Sequence, residues 1–399
     1  MITYIRFNNF YSYPEATELL FTLGKQPPHS NQDFYVETVN DRYRLNKITA
    51  ILGANGSGKT QLLKAIAFLR FFMGQSTSFL DSDEPIPFSQ FAMSQDAPSE
   101  FEFGFLLQSD SGFDEYRYEL TLTQTHVVKE ALYKKTSRQF SYLFIRHYDD
   151  GKLSYKHRNF LIPSLADDVK ANASLISYAR LLDAPIADSI CDMLEQYKTN
   201  VASIGRIGSI TQTMPEVTEL FANDDELKQT AETLLCQFDT GITKINIKKV
   251  MMINEGKQQE VLLPFGVHNI GNESFELIFL EESNGTQSAY SLLGLILPIL
   301  KNGGVAIIDE LDNDLHPLLL PAILDLFRSS HHNPHNAQLI FSCHTPEVFN
   351  LLNKHQIYLV EKYDQASEAW RLDEVEGVRN DDNLYAKYMA GAFDAIPNL

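Results

Sequence analysis

Between residues 2 and 10 apolar and polar side chains roughly alternate, which predicts a strand with one buried face, and residues 47–52 form a second, β-branched run that stops at Gly53. Residues 61–72 place Leu62, Leu63, Ile66, Leu69 and Phe72 at helical spacing, so the order is strand, glycine loop, helix. The texture then changes. Residues 75–100 are rich in Ser, Pro and Asp and read as a linker. Residues 101–107, 116–122 and 127–133 follow as an antiparallel meander, with turns at Ser109-Asp110-Ser111-Gly112 and around Thr123-Gln124. From about residue 165 to 238 the period is helical, in segments 173–182, 185–197 and 225–238, the last stopped near Gly241. Strands resume at Ile242. From residue 275 onward strand (275–280), helix (288–300), strand (305–308), helix (318–327) and strand (339–342) alternate, which predicts an α/β fold with a mostly parallel sheet. No internal repeat sets a solenoid or propeller period.

Composition narrows the class. The chain has 399 residues, 44% hydrophobic and 21% charged, enough to bury one large or two ordinary cores. Its longest apolar run, residues 292–300, is half of what a bilayer-spanning helix requires, and no basic-then-apolar leader opens the sequence. A cytoplasmic protein is expected, with no membrane partner. Cys191, Cys236 and Cys343 are odd in number and far apart, so they predict buried thiols rather than disulfides or a zinc site.

The formal net charge is −19, which argues against bulk electrostatic coating of nucleic acid or anionic lipid. Charge is uneven, however. Between Lys129 and Arg158 stand Lys129, Lys134, Lys135, Arg138, Arg146, Lys152, Lys156 and Arg158 against Glu130, Asp149 and Asp150, with aromatics interleaved. This cluster is either the solvated face of the meander or a docking patch for an acidic protein or a nucleic-acid backbone.

Gly53-Ala54-Asn55-Gly56-Ser57-Gly58-Lys59-Thr60 fits G-x-x-x-x-G-K-[ST], a loop whose backbone N–H groups wrap phosphate oxygens at a helix N-terminus. Lys59 would reach the β and γ phosphates and Thr60 would hold Mg²⁺. The apolar strand Gly304-Val305-Ala306-Ile307-Ile308 ends in Asp309-Glu310, at the sheet edge where open α/β sheets bind ligands. Asp309 is the expected second Mg²⁺ ligand, and Glu310 the carboxylate that orients and polarises an attacking water. Glu281-Glu282-Ser283-Asn284-Gly285-Thr286-Gln287 precedes a helix; Ser283 and the amides near Gly285 are either donors to a ligand or a capping turn. His344, past the strand 339–342, would stand beside the phosphate loop; it is either a contact for a γ-phosphate or a structural histidine of the strand end. His331-His332-Asn333-Pro334-His335 lacks a carboxylate or Cys at ligand spacing and reads as a polar loop. Neither Asn46-Lys47 nor Asn353-Lys354 is followed by the carboxylate that guanine needs, so ATP is the expected nucleotide.

In order along the chain, Gly53 to Thr60, Ser283-x-Gly285-x-Gln287, Asp309-Glu310-Leu311-Asp312-x-Asp314-Leu315-His316-Pro317 and Ser342-x-His344 resemble the Walker A, signature, Walker B with D-loop, and switch histidine of ABC-type and SMC-type ATPases. More narrowly the chain resembles the stand-alone AAA-type ATPases of bacterial abortive-infection and anti-phage systems, the group that includes RloA, AbiL and the ATPase subunit of PARIS and is related to OLD-family ATPases. Further matches are Pro98 to Leu107, Tyr116-Arg117-Tyr118, Val128-Lys129-Glu130-Ala131-Leu132-Tyr133 and Tyr388-Met389-Ala390-Gly391-Ala392-Phe393-Asp394-Ala395-Ile396-Pro397. Two points depart from the pattern. Gln75, Gln90 and Gln95 all compete for the Q-loop glutamine, and Thr286 stands where many transporters carry a second glycine.

The resemblance implies a P-loop NTPase head of ABC/SMC type, with a mostly parallel sheet, an antiparallel β lobe and an inserted β and helical region. Residues 1–72 and 240–399 would form the discontinuous head, 73–160 the linker and β insert, and 161–239 the helical insert. It also implies pairing of two heads around two ATP molecules, with Lys59 and Thr60 of one chain and Ser283 and Gly285 of the other on the same nucleotide. The implied function is an ATP-driven sensor that controls a separately encoded toxin or nuclease. A repair ATPase of SMC or RecF type is the alternative, and a transporter's nucleotide-binding subunit a third.

Overall fold

The computed structural model describes residues 1–23, 35–37, 44–110, 112–149, 152–202, 205–206, 210–238, 240–254, 257–379 and 381–395. Ser111, Asp150, Ile396 and Pro397 lie outside the described residues.

Three short strands, Ile48–Leu52, Val305–Ile308 and Gln338–Ser342, are buried at every position, as strands covered on both faces must be. They form the middle of a six-stranded sheet in the order Tyr197–Thr199, Val305–Ile308, Gln338–Ser342, Ile48–Leu52, Ile357–Tyr363, Ala366–Arg371. The first five run parallel and the last turns back antiparallel. Side-chain alternation splits these strands between two cores. Ile51, Val305, Ile307 and Ile340 join the helix Lys59–Phe79 through Leu62, Leu63, Ile66, Leu69 and Phe72. Ile48, Ala50, Leu52, Ala306, Ile308, Leu339 and Phe341 face the other way, onto the helices Ile210–Asn223, Asp225–Gln237, Asn284–Asn302 and Leu319–Arg328.

The second layer is a seven-stranded antiparallel sheet, in the order Lys152–His157, Phe140–Asp149, Val127–Lys135, Gly112–Leu122, Ser99–Ser109, Ile2–Asn8, Thr17–Leu20. The expected meander is present, with Ser109 facing Gly112 across its first turn, and two further strands extend it. Side chains tie the layers together. Gln338 exchanges hydrogen bonds with the backbone of Ile2, and Arg371 donates to the carbonyls of Leu20 and Thr22.

Backbone pairing crosses the boundaries drawn from the sequence. Ser99–Ser109, assigned to the insert, pairs through Glu100 to Phe105 with Ile2–Asn8 of the head. Tyr197, read as the last residue of a helix, instead opens Tyr197–Thr199, the edge strand of the parallel sheet beside Val305–Ile307. Three residues are too few to show a period. The expected linker also begins later, because the first helix runs on to Phe79. Its polar last turns are satisfied from outside: Ser76 accepts from the Ser174 amide, and Thr77 donates its N–H to Ser177. The helix Ile210–Asn223 was not legible, since Pro215 stands inside it. Among the described residues no helix is long and apolar enough to cross a membrane.

Candidate functional site

The phosphate loop is shaped by its neighbours. A Cβ on Gly53 would lie 2.1 Å from the Val360 carbonyl oxygen, and one on Gly58, at φ +119°, would lie 2.6 Å from Ser367 Oγ. These glycines are therefore fixed by close approach of the strand pair behind the loop. Gly56 differs: its φ of +75° requires glycine, yet nothing lies within 4 Å of a Cβ there, because it faces the cavity. Among the described residues no side chain caps the helix that follows, which leaves first-turn N–H groups for an anion, and none bonds the buried Ser57 hydroxyl. Lys59 Nζ donates to the carbonyls of Gly53 at 2.8 Å and Ala54 at 3.0 Å. Burial depresses its pKa, opposed by the charges of Asp309, Glu310 and Asp312.

The acids all follow the strand Val305–Ile308, and the adjacent strand Gln338–Ser342 supplies the groups that hold them. Asp309 is 2% exposed; its Oδ2 accepts from Thr60 Oγ1 at 2.7 Å and its Oδ1 from Ser342 Oγ at 2.5 Å. The same Ser342 hydroxyl accepts from the Glu310 amide at 2.8 Å, so the switch strand fixes both acids. Glu310 has φ +52°, a left-handed conformation uncommon for a non-glycine residue, which turns the chain sharply out of the strand. His344 Nε2 stands 3.5 Å from Glu310 Oε1. Asp312 Oδ2 holds the His344 segment by accepting from the amides of His344 and Thr345, each at 2.9 Å, and from Thr345 Oγ1 at 2.6 Å. Together Asn55 to Gln61, Asp309, Glu310, Asp312, Asn313, Asp314, His344 and Lys362 line a cavity of about 750 Å³.

The third motif is elsewhere. Ser283 caps the helix Asn284–Asn302, accepting from the Thr286 amide at 3.1 Å, and Gln287 donates to the Glu282 carbonyl at 2.8 Å. Gly285 packs on the D-loop, where a Cβ would meet the Asp314 carbonyl at 3.0 Å. Among the described residues lining the phosphate cavity, none of Ser283, Gly285 and Gln287 appears. The fold therefore assembles the phosphate loop, the acids and the histidine in one chain and leaves the signature turn outside their cavity.

None of the three glutamines considered for the Q-loop lines that cavity either. Gln90 is buried and donates to the Ala97 carbonyl, while Gln75 lines a groove beside the first helix that adjoins the phosphate cavity through Glu310, Asn313 and Asp314. Asn200 reaches the acids instead. At the end of the edge strand its Oδ1 accepts from the Asp309 amide at 2.7 Å, and its Nδ2 donates to the Asp309 carbonyl at 3.0 Å. This clamp spans 109 residues of sequence and has no local motif; the only signal available was a β-branched or aromatic residue pattern too short to read.

The donor set suits Mg²⁺. Among the described residues no group of three or more His, Cys, Asp or Glu forms a cage, whereas Thr60 and Asp309 offer two hard oxygens side by side. Mg²⁺ dehydrates reluctantly and is commonly held by one or two protein oxygens plus substrate phosphates.

Part of the basic cluster between Lys129 and Arg158 is paired within the sheet. Lys129 pairs with Glu119 at 2.9 Å, Lys134 with Asp114 at 2.7 Å and Lys135 with Glu115 at 2.5 Å. Arg146 and Glu130 are buried together, 1% and 0% exposed. Register, not composition, decides the field on this face.

The family model described as "AAA domain, putative AbiEii toxin, Type IV TA system" matches residues 48–350, and the chain belongs to that family. It is an α/β P-loop NTPase carrying an AAA ATPase domain. Among solved structures it is similar to an Smc head bound to the C-winged helix domain of ScpA, with 13% identity, TM-score 0.48, and 94% of this chain and 99% of that one covered. It is also similar to the Smc head domain with a coiled coil and joint from Pyrococcus yayanosii, with 11% identity, TM-score 0.47 and coverages of 98% and 99%. Among curated proteins none matches the sequence.

Proposed function

We propose that this protein is an ATP-binding and hydrolysing switch, the ATPase and sensor component of an abortive-infection system that controls a separate effector. The observation that carries the enzymatic part is the cavity in which Lys59, Thr60, Asp309, Glu310 and His344 meet over an open loop of backbone amides. When bound, Mg²⁺ would neutralise charge on the phosphates. Thr60 and Asp309 present their oxygens to it; Lys59 exchanges two carbonyl acceptors for phosphate oxygens; Glu310 orients and deprotonates a water, with His344 beside it. Family membership supports the link to toxin–antitoxin biology. The narrower affinity with RloA, AbiL and the PARIS ATPase rests on the sequence motifs.

Pairing of two chains is supported by the incomplete site. Ser283 and Gly285 lie outside the phosphate cavity of their own chain, so a second chain has to supply them if they grip the nucleotide. A helix N-terminus aimed at a γ-phosphate discriminates ATP from ADP, and that difference drives pairing. Glu310→Gln should slow turnover at least tenfold, a barrier rise of about 1.4 kcal/mol, while retaining ATP. Light scattering of that variant should show ATP-dependent doubling of mass, abolished by adding Ser283→Arg. Unchanged hydrolysis in Glu310→Gln, or equal mass with and without Ser283→Arg, removes the corresponding role.

A further inference from the structure

The strand Ile357–Tyr363 pairs in parallel with the phosphate-loop strand, with Leu359 opposite Leu52. The loop strand ends there, while its neighbour runs on past the sheet edge for several residues. Val360, next in line, brings its carbonyl against Gly53. Two residues further, Lys362 reaches the rim of the phosphate cavity and lines it together with Asn55 and Gly56. Its antiparallel partner across the hairpin is Ser367, whose hydroxyl donates to the Ser57 carbonyl at 2.6 Å, so the hairpin carrying Lys362 is bonded directly to the loop.

Lys362 is only partly buried, and among the described residues it has no hydrogen-bond or ion-pair partner. That is unusual in its setting. The cavity wall carries four carboxylates, Asp309, Glu310, Asp312 and Asp314, against two lysines. Asp312 is occupied with the His344 segment and Asp309 with Thr60 and Ser342, while Lys59 is already bonded to two loop carbonyls. A nucleoside triphosphate entering this cavity brings several negative charges against those carboxylates. Beyond Lys59 and a bound Mg²⁺, the unengaged cation at the rim is a further group able to offset them.

We propose that Lys362 is a second phosphate-binding lysine, donating to the polyphosphate of a bound nucleoside triphosphate from the side of the loop opposite the Asp309–Glu310 strand. The inference rests on the reading of this cavity as a nucleotide site. It differs from the roles of Lys59 and Thr60 because it comes from a strand outside the phosphate-loop motif. Held by the hairpin, the ammonium adds a charge-assisted hydrogen bond and long-range attraction without rearrangement of the loop.

The test is titration of the full chain, in Mg²⁺, with a fluorescent ATP analogue and its ADP and AMP counterparts. Lys362→Ala should weaken ATP-analogue binding about tenfold. Lys362→Arg should stay within about threefold of the parent and Lys362→Glu should fall below Lys362→Ala, with AMP-analogue binding little changed throughout and melting temperatures of the variants matching the parent. Affinity of Lys362→Ala within twofold of the parent, or equal losses for the ATP and AMP analogues, overturns the proposal while leaving the nucleotide site intact. Absence of binding by the parent chain overturns the nucleotide site itself, and this inference with it.

Discussion

Glu130 and Asp309 are both buried carboxylates, and the difference between their surroundings separates architecture from chemistry. Glu130 is saturated from within. Its Oε1 accepts from Tyr118 and Ser174 at 2.8 and 2.6 Å, and its Oε2 from Arg146 Nε and the Leu175 amide at 2.7 and 2.9 Å. Arg146 in turn donates to the Ala173 carbonyl, so the node bolts the antiparallel sheet to the segment that receives the end of the phosphate-loop helix. Asp309 instead has hydroxyls for neighbours, Thr60 and Ser342, and its backbone rather than its carboxylate is clamped by Asn200. Hydroxyls rotate and exchange partners at small cost. A carboxylate with both oxygens filled and a guanidinium fixed against it cannot.

The largest expected effect follows from that contrast. Glu130→Ala leaves the Arg146 guanidinium buried without its counterion and should cost about 3–5 kcal/mol of stability, read as a fall in the urea midpoint. Nucleotide affinity of the folded fraction should be unchanged. Replacing both partners, as Glu130→Leu with Arg146→Met, should recover most of the loss because no charge is then stranded. A drop in affinity that tracks the drop in stability would merge the two regions into one unit and break the comparison.

Lys59→Ala should behave in the opposite way. It removes a cation that burial already disfavours and that is bonded only to loop carbonyls, so stability should move by no more than about 1 kcal/mol. ATP binding should fall at least about a hundredfold, by the same fluorescence titration, since a preorganised donor to the phosphates is lost. Asn200→Ala lies between. Loss of both bonds to the Asp309 peptide should slow single-turnover hydrolysis about tenfold and shift affinity less than threefold, because the clamp positions Asp309 and touches no substrate. Equal loss of affinity and rate would make Asn200 a structural support only.

What was legible in the sequence has a common physical origin. The phosphate loop, Asp309-Glu310 and the Ser283 turn are contiguous runs in which backbone geometry and chemistry need the same few neighbours, so eight or fewer residues carry the message. The parallel sheet was legible for a related reason: Ile48–Leu52, Val305–Ile308 and Gln338–Ser342 are buried on both faces and had to be apolar throughout. Asn200 and Lys362 escaped because their meaning depends on which strand lies beside which, a property of sheet order. The basic cluster was misleading for the same reason. Counting along the chain placed Arg146 with surface lysines, whereas the register puts it opposite Glu130 inside the protein.

The smallest expected effect sharpens the comparison at the surface. Lys134 and Lys135 keep side-chain exposures of 33% and 22%, and their partners Asp114 and Glu115 lie on the adjoining strand at 29% and 15%. Pairs this wet contribute about 0–1 kcal/mol each, and reversing one member replaces attraction by repulsion across the strands. Lys134→Glu with Lys135→Glu should therefore lower stability by about 1 kcal/mol, and should do so less at high salt, which screens exposed charges. Adding Asp114→Lys and Glu115→Lys restores both pairs with their signs exchanged and should return the urea midpoint to that of the parent. Hydrolysis should be unaffected in both variants, because no residue changed lines the phosphate cavity. The sign-exchanged protein then isolates the field of this face from its stability. If it folds like the parent but no longer retains an acidic effector in co-purification, the face is a docking surface whose lysines serve a partner as well as Asp114 and Glu115. If the effector is retained, the ion pairs serve the sheet alone.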